Sequence, residues 1–193
     1  MPRKRSISDD DLLDAALRIV RSRGPDALTF GALAPQVGLA GSTIVQRFGT
    51  KAGLLRAALS RAWDLLDQAT AAAVAAAGPG PGGVVELLVA LTGQYGVDDD
   101  FADQLLLLRE DLRDPVLRAR GQAWLATLTD AVERRLPGPP GRPGLGRIVV
   151  AHWQGTLTVW GFTRGAPLAE VVRTGLEDLL DRLAAGAAPG RRV

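Results

Sequence analysis

The chain has 193 residues, a net charge of +2 from 23 Lys and Arg against 21 Asp and Glu, one histidine and no cysteine. That length suits one compact unit, or a small domain on a larger body, with enough chain for a sizeable core. Without cysteine there is neither a disulfide nor a thiolate zinc site, which fits a reducing cytoplasm, and a single histidine rules out multi-histidine metal centres.

Every convincing periodic segment is helical, so the expected class is all-α. The opening Met-Pro-Arg-Lys-Arg-Ser is followed by acids and not by an apolar run, so no signal peptide is expected. Arg3-Lys4-Arg5 is either a basic arm that follows a polyanion or a solvated tail. Ser8 with Asp11 three residues on has the pattern of a capping box, and Asp9 and Asp10 suit a helix start. An apolar face of Leu12, Leu13, Ala16, Leu17, Ile19 and Val20 then runs until Gly24-Pro25 stops the helix. Thr29 is placed to cap a second helix over about 30–37, in which Pro35 lacks the donor for the Gly31 carbonyl and is expected to kink or shorten it.

Gly38 is suited to the left-handed residue that ends this helix, and a third helix follows over about 41–48. On that third helix Leu39, Ile44 and Phe48 share one side, while Ser42, Thr43, Gln46 and Arg47 share the other at i, i+1, i+4 and i+5. Short polar side chains let a helix enter a major groove, and arginine can pair bidentately with guanine. An ordinary solvated amphipathic helix has a similar patch. Two short helices meeting at one glycine, however, have the form of a helix-turn-helix DNA reader. Thr50 then caps a fourth helix reaching as far as Ala77, and Lys51 falls in its first turn, where the macrodipole disfavours a cation. A phosphate docked there would resolve that conflict.

Charge is distributed unevenly. No acid occurs from Ala27 through Trp63, a stretch that holds Arg47, Lys51, Arg56 and Arg61. Residues 1–61 carry ten Lys and Arg against five Asp, a net of +5, and residues 62–193 carry thirteen against sixteen, a net of −3. A basic end on a mildly acidic body points to a polyanionic partner for that end.

The alanine-rich run 69–77 is too short to span a bilayer, and Gly78-Pro79-Gly80-Pro81-Gly82-Gly83 is expected to break the chain into a linker. Further helices are predicted over about 84–95, 101–111, 115–136, 145–163 and 167–185, with a Pro- and Gly-rich loop at Pro137–Gly144. Between Ile148 and Thr163 there is no formal charge and apolar residues occur all around the helix. The last helix adds Leu168, Val171, Val172, Leu176, Leu179, Leu180 and Leu183. Such surfaces suggest a dimer interface of two helices per subunit, formed by Val149, Leu157, Leu168, Val172, Leu176, Leu179, Leu180 and Leu183, or a helix buried centrally in a monomer.

Taken together these residues resemble the tetracycline-repressor (TetR) family of bacterial transcriptional regulators. The resemblance is specific over about residues 8–55. It is carried by Leu13-x-x-Ala16-Leu17 before Gly24, Leu33-Ala34, Val37-Gly38-Leu39, Thr43-Ile44, Phe48 and Lys51-x-x-Leu54-Leu55. It implies a helix-turn-helix domain over 1–55 and a ligand-binding and dimerisation domain over 56–193. Thr43 and Lys51 would contact phosphates, Gly41, Ser42, Gln46 and Arg47 would approach base edges, and Thr29 joins this DNA-binding set. Departures from the family pattern are Ala40 at a frequent capping position, Val45 for a frequent tyrosine, and Phe30-Gly31, which give the second helix little polar reach. The family further implies a homodimer and a small-molecule effector whose binding changes the separation of the two readers and releases operator DNA. Candidate pocket residues are Trp63, Trp124, His152, Trp153, Thr156 and Trp160, with His152 expected in the interior.

An enzyme is not expected: no Gly-x-Ser-x-Gly elbow or P-loop lysine motif occurs, and Asp98-Asp99-Asp100 lacks the alternation and glycine of a calcium loop. No cofactor, metal or membrane partner is called for. The remaining alternative is a helical dimerisation or adaptor protein that binds DNA weakly and without sequence preference.

Overall fold

The computed structural model describes residues 7–93, 101–136 and 144–187, and all of their regular structure is helical. The helices are α1 (Asp9–Arg23), α2 (Phe30–Val37), α3 (Gly41–Phe48), α4 (Lys51–Ala76), α5 (Gly80–Thr92), α6 (Phe101–Arg113), α7 (Pro115–Glu133), α8 (Leu145–Thr163) and α9 (Leu168–Ala187), with a 3-10 turn at Pro25–Ala27. The Arg3-Lys4-Arg5 arm, the Asp98–Asp100 run and residues 137–143 of the expected loop lie outside the described residues. By packing, the chain divides into two compact units, the first from residues 1–67 and 99–122, the second from 68–98 and 123–193.

The first unit closes around the apolar face of α1. Leu12, Ala15, Ala16, Leu17, Ile19 and Val20 are buried with Leu28, Leu33, Ile44, Leu54 and Ala58. Helix α1 starts as its sequence directs, because Ser8 Oγ accepts the Asp11 amide at 3.1 Å and donates to the Asp11 carboxylate at 2.7 Å. Helix α2 runs through Pro35 without ending there. With only eight residues, it loses a single internal hydrogen bond to the proline.

The second unit buries Val84, Leu87, Leu88 and Leu91 of α5, Trp124, Leu128 and Val132 of α7, and Trp153 and Leu157 of α8. Helix α9 packs on both α8 and α5. The Gly-Pro run is only partly a linker, since α5 already begins at Gly80. Pro81 is tolerated because first-turn amides need no helical acceptor. Gly83 is buried with its Cα side against the Gly78 carbonyl, where a Cβ has no room, and Glu86 accepts the Gly78 amide at 2.9 Å. Past the end of α7, the Arg135 guanidinium donates to the carbonyl of Val74 at 2.7 Å, in the last turn of α4, and to that of Gly78 at 3.0 Å, just beyond it.

Candidate nucleic-acid interface

The expected reader is built from α2, α3 and the turn between them. Thr29 Oγ1 accepts the Ala32 amide at 3.0 Å, so this hydroxyl is engaged in starting α2. Gly38 adopts the left-handed conformation, φ 66°, that turns the chain into α3. Helix α3 begins at Gly41 after Ala40, which supplies no side-chain cap, as its methyl group requires. Ile44 is buried in the core, Leu39 and Phe48 pack against it, and this anchors the helix. Ser42 and Gln46 are exposed one turn apart, Gly41 and Thr43 on either side of Ser42 are half-buried, and Val45 is exposed next to Gln46. The polar face inferred from spacing is therefore presented outward by a helix fixed from behind.

The cations are less free than their spacing in the sequence suggests. Arg47 Nη1 donates to Asp9 Oδ1 at 2.9 Å and to the Ile7 carbonyl at 3.2 Å. Lys51 Nζ donates to the Asp26 carbonyl at 2.8 Å, so the first-turn conflict is resolved within the chain. Arg61 bridges Asp10 at 3.0 Å and Asp14 at 2.9 Å, and Arg56 pairs with Asp114. Hydrogen bonding by Asp14 raises the already high pKa of Arg61, and hydrogen bonding by Arg56 lowers that of Asp114. Each basic side chain counted between Ala27 and Trp63 thus has an acceptor of its own. These partners come from 25 to 58 residues away, and no periodicity rule links positions so distant. Only the acids at the start of α1 hinted at them.

Residues 12–58 match the family described as bacterial regulatory proteins, tetR family. Residues 12–58 thus carry a reader of the TetR type. No curated protein matches the chain in sequence. Solved structures resemble it over nearly its whole length. A TetR-family transcriptional regulator from Streptomyces coelicolor is 21% identical with a TM-score of 0.71, covering 93% of this chain and 92% of that one. The multidrug binding protein EbrR complexed with proflavin is 25% identical with a TM-score of 0.59, covering 89% and 96%. A protein from Saccharomonospora viridis, in complex with choline, is 20% identical with a TM-score of 0.65, covering 88% and 93%. The chain shares the all-α fold of these structures, and its helix-turn-helix is the segment that matches the tetR-family model.

The four indoles are tied down individually, three of them in the second unit. Trp124 is buried and donates to Thr70 Oγ1 at 2.8 Å, and Trp153 is fully buried and donates to Thr92 Oγ1 at 3.2 Å. Their rings lie 6.4 Å apart and tilted by 47°. Trp160 donates to the Ala166 carbonyl at 2.8 Å, with the Arg164 guanidinium 5.5 Å from the centre of its ring. Trp63 belongs to the other unit, where it donates to Asp111 at 3.2 Å and lies against Gly121. Of the six candidate pocket residues, Trp124 and Trp153 lie side by side in the second unit, and His152, Thr156 and Trp160 share helix α8 with Trp153. His152 is exposed, contrary to expectation, with its Nε2 3.2 Å from the Gly175 carbonyl, and Thr156 Oγ1 donates to the His152 carbonyl.

The α8 and α9 side chains expected at a dimer interface are differently placed as well. Val149, Leu157, Leu168, Val172, Leu176 and Leu180 are buried within the single chain, and Leu179 and Leu183 are half-buried. The apolar residues α8 leaves open are Ile148, Val159 and Phe162, the last 89% exposed. With His152 and Gly155 they recur at intervals of four and three along one side of the helix.

Proposed function

We propose that this chain is a TetR-family regulator, a homodimeric repressor that binds a roughly palindromic operator and leaves it when a small molecule binds the body. The observation that carries the DNA-reading part is the outward face of α3, where Ser42 and Gln46 are exposed while Ile44 anchors the helix in the core. Gly41, Ser42, Gln46 and Arg47 approach base edges, and Thr43 and Lys51 hold phosphates. Thr29 contributes by fixing the start of α2. A dimer presents two such helices about 34–36 Å apart, one turn of duplex.

Support for dimerisation is the open stripe of α8, Ile148, Val159 and Phe162, which a second copy of the same stripe would cover. Support for an effector comes from fold relatives that are described as binding multiple drugs or as holding choline. The Trp124–Trp153 pair is the proposed reporter of effector binding, because a ligand against those rings changes their fluorescence.

Selection of genomic fragments by the purified protein tests the reading. The expected result is enrichment of an inverted repeat. On that site Arg47→Ala costs about 1–3 kcal/mol and relaxes preference at one base per half-site, while Lys51→Ala weakens binding evenly and flattens its salt dependence. Retention of fragments without any enriched repeat would instead favour a helical adaptor with weak, non-specific DNA binding.

A further inference from the structure

The side chain best suited to read a base does not stand free. Arg47, near the end of α3, is held by Asp9 in the first turn of α1, with the Ile7 carbonyl as a second acceptor for the same Nη1. The Arg47 side chain is 30% exposed and that of Asp9 is 66% exposed, so the pair faces solvent and can be displaced. Asp9 is not needed to cap its own helix, since Ser8 accepts the Asp11 amide. Its carboxylate instead lies beside the polar face of the recognition helix, where a DNA phosphate would be repelled.

We propose that Asp9 is a specificity-determining residue that acts through Arg47, an internal counter-ion masking the guanidinium from DNA phosphates. A lone phosphate offers Arg47 no better acceptor than the Asp9 carboxylate already in place. Two acceptors on one guanine edge do, because the guanidinium can pair with both at once. Binding to arbitrary sequence is therefore held down while binding to the operator is spared. This rests on the DNA-reading role proposed above.

The test is a mutant cycle on intact protein, reading fluorescence anisotropy with two duplexes, one of mixed sequence and one recovered by the genomic selection. Salt is varied from about 50 to about 200 mM KCl. Asp9→Asn is expected to bind the mixed duplex about two- to fivefold tighter, with the salt slope steeper by about 0.9, the value for one added phosphate contact. Its preference for the selected duplex falls accordingly. The double variant D9N/R47Q binds the mixed duplex no tighter than Arg47→Gln alone, so the gain is lost with the guanidinium, and Asp9→Glu, which keeps the charge, shows no gain. The proposal is overturned if Asp9→Asn leaves the mixed-duplex slope unchanged. It is also overturned if the gain persists in the Arg47→Gln background, since that is the loss of a negative charge and nothing more. Failure of the wild-type protein to bind either duplex would overturn the DNA-reading role itself.

Discussion

Asp111 shows how burial can set a single group against the fold. Its carboxyl is half-buried and its pKa is pushed up to about 6, chiefly by desolvation, with the Trp63 donor opposing and the nearby charges of Asp114 and Glu110 adding to the rise. The folded state therefore holds this proton where the unfolded chain has lost it, and stability declines as pH climbs from the ordinary value of 3.8 toward 6. Asp111→Asn keeps an acceptor for Trp63 and removes the charge. It should stabilise the protein by about 1 kcal/mol at pH near 7.5, the full effect of such a shift being discounted for partial solvation. Thermal melts at that pH and at one near 4 check this, the benefit vanishing at the lower value; a variant less stable than wild type at both refutes it.

Glu133 has the opposite sign. The amides of Gly144 and Gly146 donate to it and hold its carboxyl below the usual range. Its contribution is complete above the ordinary glutamate value and disappears as pH falls through the lowered one. No side chain at Gly144 caps α8, so Glu133 does this from α7. Glu133→Ala should cost about 1 kcal/mol, the scale of a lost cap, and should speed amide exchange at the start of α8. Unchanged exchange there would show that the cap is dispensable.

At the scale of elements, two adjacent glycines in the first turns of α5 separate helix propensity from close packing. An added Cβ at Gly82 meets nothing within 4 Å, so Gly82→Ala should be neutral or stabilise by up to about 1 kcal/mol. The same change at Gly83 drives a methyl group into the Gly78 carbonyl and should destabilise by about 1–3 kcal/mol. Denaturation midpoints of the two variants decide the matter, and equal midpoints would contradict the packing argument. The pair also shows why six residues of glycine and proline were expected to form a linker. Composition reports backbone freedom, whereas Gly83 is required for contact and Pro81 occupies the one helical turn that tolerates it.

For the molecule as a whole, the apolar surface of α8 is the feature with the widest consequence. For the proposed dimer, Val159→Glu or Phe162→Glu places a charge on a side chain the chain itself leaves open, and should give folded monomers in sedimentation. Leu176→Glu buries that charge in the protomer core and should prevent folding instead. Folded dimers in all three variants would rule out this face.

From sequence alone, the helical class, nearly every helix boundary and the reader with its Ser8, Thr29 and Thr50 caps were legible, because caps, glycine turns and 3.6-residue periodicity act within a few residues. Which apolar side of α8 the chain itself covers, and which acid holds each arginine, followed only from the tertiary structure. Periodicity marks a face as apolar without naming what packs on it. An ion pair such as Arg47 with Asp9 joins positions 38 residues apart, and the folding of α1 against α3 brings them within reach.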